Sequence, residues 1–121
     1  MSAFRVLGIS WAGIGTRDYA ATQTLLRDVL GLAVVTEIEN QAIFAVDRQQ
    51  LELFGRGGHG RDNNSPPSFA FEVDDFDAAL AVLRSAGVEL VGEPGEWNGH
   101  RWQYFRTPDG YLLSIKVSPH L

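Results

Sequence analysis

Few side chains in this 121-residue chain have the types and spacing that chemistry needs. There is no cysteine, which excludes disulfides, thiolate metal sites and a cysteine nucleophile together. The three histidines are His59 in a glycine-rich stretch, His100 in a Gly-Glu-Trp-Asn-Gly-His loop and His120 at the C-terminus. None has a second ligand at helix or strand spacing, so all three read as solvent-exposed loop residues. A Ser-His-Asp set, a glycine loop for phosphate and a metal motif are absent. Helix capping accounts for the paired acids Asp74 and Asp75. What remains is a group of large rings and isolated polar residues: Trp11, Glu52, Ser68, Trp102, Tyr104, Arg106 and Ser114. Flat rings suit stacking on a planar ligand, and the polar groups would orient it.

The clearest element positioning these residues is the stretch from Trp102 to Val117 around a Thr107-Pro108-Asp109-Gly110 turn. Proline presets the first central position of a turn and glycine accepts positive φ, so the flanking runs form an antiparallel hairpin. After the turn Tyr111, Leu113, Ile115 and Val117 share one strand face, while Leu112, Ser114 and Lys116 take the other. If the apolar face packs under helices, Ser114 looks into whatever the sheet encloses. Upstream, Leu7 to Ile14 reads as a buried strand, and Tyr19 to Leu30 as a helix with Tyr19, Leu25, Leu26, Val29 and Leu30 along one stripe, ended by Gly31. Three strands follow, over Leu32 to Ile38, Ala42 to Val46 and Gln50 to Phe54.

Residues 55–67, rich in glycine and asparagine and closed by Pro66-Pro67, read as a linker. Beyond it the same order recurs: a strand over Ser68 to Val73, a helix over Phe76 to Ala86 with Phe76, Leu80 and Leu83 inward, a strand over Val88 to Val91, then the hairpin. At a constant offset Trp11 matches Ser68, Asp18 matches Asp75, Tyr19 matches Phe76, Leu26 matches Leu83 and Arg27 matches Arg84. Leu51-Glu52-Leu53 likewise matches Leu113-Ser114-Ile115. The chain is therefore a β-α-β-β-β repeat in a single domain, with module one at about 4–54 and module two at about 68–117. The formal net charge of −5 leaves no basic stripe for nucleic acid. No apolar run reaches membrane-spanning length and no signal pattern opens the chain, so a cytoplasmic protein without nucleic-acid or membrane partners is expected.

Arg27-Asp28-Val29-Leu30-Gly31-Leu32 at the end of the first helix, Phe71-Glu72-Val73-Asp74-Asp75 before the second and Phe105-Arg106-Thr107-Pro108-Asp109-Gly110 near the end, on such a repeat, resemble the vicinal oxygen chelate superfamily. That group contains glyoxalases, extradiol dioxygenases, fosfomycin-resistance enzymes and bleomycin-resistance proteins. The resemblance covers essentially the whole chain. It implies an α+β fold in which two β-α-β-β-β modules form a half-open curled barrel, with homodimers enclosing a cavity between modules. Enzymes of the superfamily hold a divalent metal through the first and last strand of each module, at positions that here fall on Trp11, Glu52, Ser68 and Ser114. Tryptophan offers no free lone pair, serine is a poor ligand, and one carboxylate cannot hold a catalytic ion alone. Neither a metal nor another cofactor is therefore expected.

The carry-over also implies that Trp11 and Ser114 face the cavity, and strand parity then brings Trp102 and Tyr104 with them, while Trp97 lies in a loop beside its mouth. Glu52, as an inward carboxylate, must be paired, neutral or wet. It is a vestigial ligand position, a group for a basic ligand, or a general base. The expectation is a metal-free binding protein resembling the bleomycin-resistance branch, sequestering a planar aromatic antibiotic or related natural product in a dimer-interface cavity through Trp11, Glu52, Ser68, Trp102, Tyr104, Arg106 and Ser114. The alternative is a metal-independent lyase, isomerase or cyclase of the same fold with Glu52 as general base.

Overall fold

Two aspartates fifty-seven positions apart start the two helices in the same way. In the computed structural model, which describes residues 3–56 and 66–119, Asp18 Oδ1 accepts from the Ala21 amide at 3.1 Å and Asp75 Oδ1 from the Ala78 amide at 3.0 Å. Each satisfies an amide that the helix cannot bond internally. The elements run β1 (Val6–Gly15), α1 (Tyr19–Thr24), a π-helical turn (Leu25–Val29), β2 (Ala33–Ile38), β3 (Gln41–Val46), β4 (Gln49–Phe54), β5 (Ser68–Val73), α2 (Phe76–Ser85), β6 (Glu89–Trp97), β7 (His100–Arg106) and β8 (Leu112–Val117). His59, His120 and most of the expected linker lie outside the described residues.

The chain divides into two compact units. One runs from Trp11 to Pro67, and the other joins the segment up to Ser10 with Ser68 and beyond, so β1 contributes to both. In the first unit the strand order is β2-β3-β4-β1, with β4 and β1 parallel and the other pairs antiparallel. In the second, β5 and β8 are parallel and β8, β7 and β6 continue antiparallel. A parallel pair cannot be joined by a tight turn, which is why a helix follows β1 and β5. Registers match residue for residue. Gly13 lies opposite Glu52 and Ile14 opposite Leu53 in one unit, as Ala70 lies opposite Ser114 and Phe71 opposite Ile115 in the other. These are the offsets of the sequence repeat, and the α+β fold of two β-α-β-β-β modules is the one expected.

Each helix covers one face of its own strands. Leu26 packs with Ala42, Phe44 and Leu53, supported by Tyr19, Leu32 and Leu51. On α2, Phe76, Ala79 and Leu80 pack with Val73 and Ile115, supported by Leu83, Phe105 and Val117. The stripe expected on the first helix is narrower than its sequence suggests. Leu30 N–H bonds to Leu25 O at 2.9 Å, five residues back, and this wider turn rotates Leu25, Val29 and Leu30 outward while Leu26 stays buried.

The second departure is the strand after α2. It continues past Val91 through a register irregularity ending at Gly95, and reaches Trp97. Asn98 at φ 49° and Gly99 at φ 83° then turn the chain straight into β7. Two central residues with positive φ make the tight turn that matches strand twist. Trp97 and His100 are therefore paired strand residues, not loop residues, and His100 is buried, not solvent-exposed.

Candidate functional site

In the unit from Trp11 to Pro67, the sheet face turned away from the helix carries Trp11, Gly13, Glu52 and Gln41. Trp11 is 6% exposed, and its ring lies back across Gly13, where a side-chain carbon would sit 2.4 Å from the indole. There it meets Phe54 edge-on, at 6.5 Å between centroids and 62° between planes. The indole Nε1–H donates to Glu52 Oε1 at 3.0 Å, and Gln41 Nε2 donates to Glu52 Oε2 at 2.7 Å. Both carboxylate oxygens are thus fixed by neutral donors from neighbouring strands, which orients Glu52 without a cation. Trp11 serves that carboxylate and the packing around it; its ring is largely covered.

In the other unit, α2 covers the face bearing Val73 and Ile115, and strand alternation turns Ser68, Ser114, Trp102 and Tyr104 to the opposite face. Tyr104 pairs directly with Ser114, and Trp102 with Lys116. The Trp102 ring is laid across Gly95 of the adjacent strand, again within 2.2–2.4 Å of where a side-chain carbon would be. Glycine at 13 and at 95 thus lets an indole lie flat on the sheet. Trp102 and Tyr104 are partly exposed, and Trp97, 47% exposed, adds a third ring to this face. Ser68 is buried and its hydroxyl donates to the Leu112 carbonyl at 2.5 Å; Ser114 is buried opposite Tyr104. Arg106 is exposed, donates to the Gly110 carbonyl at 2.9 Å and lies 3.9 Å from Glu89, so it braces its own hairpin.

Five polar residues on the same unit, unremarked as a group in the sequence, form one buried network. Glu72 Oε1 accepts from the hydroxyls of Ser10 at 2.7 Å and Ser118 at 2.9 Å, and Oε2 accepts from the Ser118 amide at 2.7 Å. Lys116 Nζ donates to Ser118 Oγ at 2.6 Å and contacts His100 Nδ1. Trp97 stacks on the His100 ring at 6.0 Å and 22°. All five residues are at most 7% exposed. Two signals were available in the sequence: Asn98-Gly99, a hairpin dipeptide that makes His100 a strand residue, and the fact that Lys116 is the only lysine beside nine arginines.

Three of the four positions to which the resemblance assigns metal ligands do not fit a divalent ion. Trp11 presents an N–H donor, both Glu52 oxygens are engaged by N–H groups, and the Ser68 hydroxyl is spent on a backbone carbonyl. Among the described residues no three His, Cys, Asp or Glu side chains gather as metal ligands, and no helix is long and apolar enough to cross a membrane.

Residues 8–115 match the sequence profile described as Glyoxalase/Bleomycin resistance protein/Dioxygenase superfamily. The chain is 29% identical over 111 residues to the uncharacterized protein YaeR of Escherichia coli (strain K12), covering 81% of this chain and 86% of that protein. It superposes on methylmalonyl-CoA epimerase from Mycobacterium tuberculosis with a TM-score of 0.72 at 25% identity, over 98% of this chain and 93% of the other. With the Mn(II)-bound glyoxalase from Novosphingobium aromaticivorans the TM-score is 0.75 at 26% identity, over 94% of this chain and 40% of that one.

Proposed function

The chain belongs to the Glyoxalase/Bleomycin resistance protein/Dioxygenase superfamily, and we propose that within it the protein is a metal-free binding member that sequesters a planar aromatic antibiotic or related natural product. The observation that carries this reading is the ring-bearing sheet face opposite α2, where Trp97, Trp102 and Tyr104 lie beside buried Ser114. Aromatic stacking contributes about 0.5–1.5 kcal/mol beyond area burial, up to roughly a tenfold change in affinity per ring. A thermal-shift screen of aromatic natural products finds candidates, because a ligand binding only the native state raises apparent stability. Fluorescence titration of a hit then tests the site: Trp102→Ala weakens binding about tenfold. Unchanged affinity in Trp102→Ala and Tyr104→Ala alike would remove the ring face from the site. A homodimer is part of the same reading, supported by Val6, Leu7 and Ile9 at 55%, 52% and 48% exposure on β1. Sedimentation equilibrium showing only monomer at micromolar concentration counts against it.

The second reading is a metal-independent lyase, isomerase or cyclase with Glu52 as general base. The observation favouring it is that Trp11 and Gln41 hold the Glu52 carboxylate in one orientation, as catalysis requires of a positioned base. Long incubation decides between the two. A ligand recovered unchanged supports sequestration, whereas a mass-shifted product lost in Glu52→Gln with affinity retained supports catalysis.

A further inference from the structure

A nucleophile, a base within hydrogen-bond reach and a third group orienting the base are the recurring parts of an activated nucleophile. Lys116, His100 and Trp97 have that arrangement. Lys116 Nζ contacts His100 Nδ1, and the imidazole plane is set by stacking against Trp97. On its other side Lys116 donates to Ser118 Oγ, whose own proton goes to Glu72 Oε1, so a buried carboxylate balances the ammonium through one hydroxyl. With its hydroxyl proton on Glu72, Ser118 accepts from Lys116. Lysine is readily altered in charge state by burial, which is why it serves as general base and imine-former elsewhere. Here the one lysine of the chain lies 6% exposed, next to a basic nitrogen, opposite Trp102 on the ring-bearing face.

We infer that Lys116 is a carbonyl-reactive amine, condensing reversibly with an aromatic aldehyde or ketone while His100 carries the proton. His100 Nδ1 takes a proton from the Lys116 ammonium, and the freed lone pair attacks the carbonyl carbon. A C–N bond forms as the carbonyl π bond opens onto oxygen, one N–H proton of the attacking amine moves to that oxygen, and the resulting hydroxyl takes the proton held by His100 and leaves as water as the C–O bond breaks, giving a protonated imine. Amine and carbonyl become imine and water, with no oxidant or reductant. The inference shares with the aromatic-ligand reading only the face on which the ligand lies, and it adds a carbonyl to that ligand.

The test uses the folded protein with benzaldehyde and cyanoborohydride at about pH 7, with benzyl alcohol as the carbonyl-free control. Because Lys116 is the only lysine, peptide mass mapping separates its adduct from the α-amino group without ambiguity. The expected result is a single reduced adduct on Lys116, formed faster than on free Nα-acetyl-lysine, absent in Lys116→Arg, and slowed about 100-fold in His100→Gln, the low end of what a positioned acid–base group contributes. Labelling of Lys116 no faster than the free amino acid, or only after denaturation, overturns the inference with the parent protein alone, whatever the variants do. A His100→Gln protein that keeps its circular dichroism and its labelling rate overturns the role of His100. Saturable binding of a carbonyl-free aromatic without adduct formation from benzaldehyde leaves sequestration standing and removes the imine.

Discussion

Alanine at Gly13 should destabilise this protein by an amount set almost entirely by Trp11. A Cβ there would lie 2.4 Å from Trp11 Cη2, 2.6 Å from Cζ2 and 3.2 Å from a Phe54 ring carbon. Such separations force the indole off the strand, and its 3.0 Å bond to Glu52 goes with it. Overpacking of a core position costs about 1–3 kcal/mol, and losing a hydrogen bond to a carboxylate about 1.5–3 kcal/mol. Since one displacement causes both, Gly13→Ala should cost about 2–4 kcal/mol. The backbone at Gly13 is outside the positive-φ region, so beyond Trp11 only the Phe54 ring, which must give by a few tenths of an ångström, crowds a methyl group. In a Trp11→Ala background the same substitution should be neutral, or stabilising by roughly 0.4–1 kcal/mol through the reduced entropy of the unfolded chain. Urea unfolding of the four proteins of this double-mutant cycle, compared at unchanged m, measures the coupling. If the two substitutions add to within about 0.5 kcal/mol, the indole does not lie across Gly13 and the account of how Glu52 is held is wrong.

Replacing Asp75 by alanine removes the cap on the Ala78 amide and should cost about 1 kcal/mol, with amide exchange accelerated first at the start of α2; uniform acceleration across the unit would contradict a local cap. The Tyr19 phenol is pushed up from 10.0 to about 12, by burial first and then by Glu37, whose Oε2 accepts from its hydroxyl at 3.2 Å. A raised pKa in the folded state means that this contribution to stability is complete below the ordinary value and is lost as pH rises through about 12. Absorbance titration should therefore show a late phenol that disappears in Tyr19→Phe, and an unchanged titration in that variant would reassign the shift. Protein purified without chelator should carry no stoichiometric divalent metal; a metal content abolished by Glu52→Ala would show that the carboxylate acts as a ligand despite its Trp11 and Gln41 partners.

Local chemistry and periodicity made much of the fold legible. Asp18 and Asp75 are cap residues by type, the Thr107-Pro108-Asp109-Gly110 turn closes as a bend with Gly110 N–H on Thr107 O at 2.8 Å, and period-two alternation separates Ser114 from Ile115. The repeat needed only offsets, because equivalent residues in two copies of one module meet equivalent partners. The first helix departs from its stripe where a single wider turn changes which residues face inward, and a hydrophobic stripe read at one fixed period cannot register that change.

Tertiary structure alone decided which polar residues meet. Trp11 and Glu52 are 41 positions apart, Ser10 and Glu72 62, and Ser118 and Glu72 46; nothing in their spacing couples them until the strands within each unit are paired. Lys116 and Ser118 alternate with apolar residues in a pattern that ordinarily marks a solvated strand face. Burial reverses that meaning, because a charge removed from water must find hydrogen-bonding partners, and here each member of the network supplies one to the next. Sequence determined the modules and the residue types on each face. Only the three-dimensional packing determined that Lys116, His100 and Glu72 are covered together and joined into a single connected group.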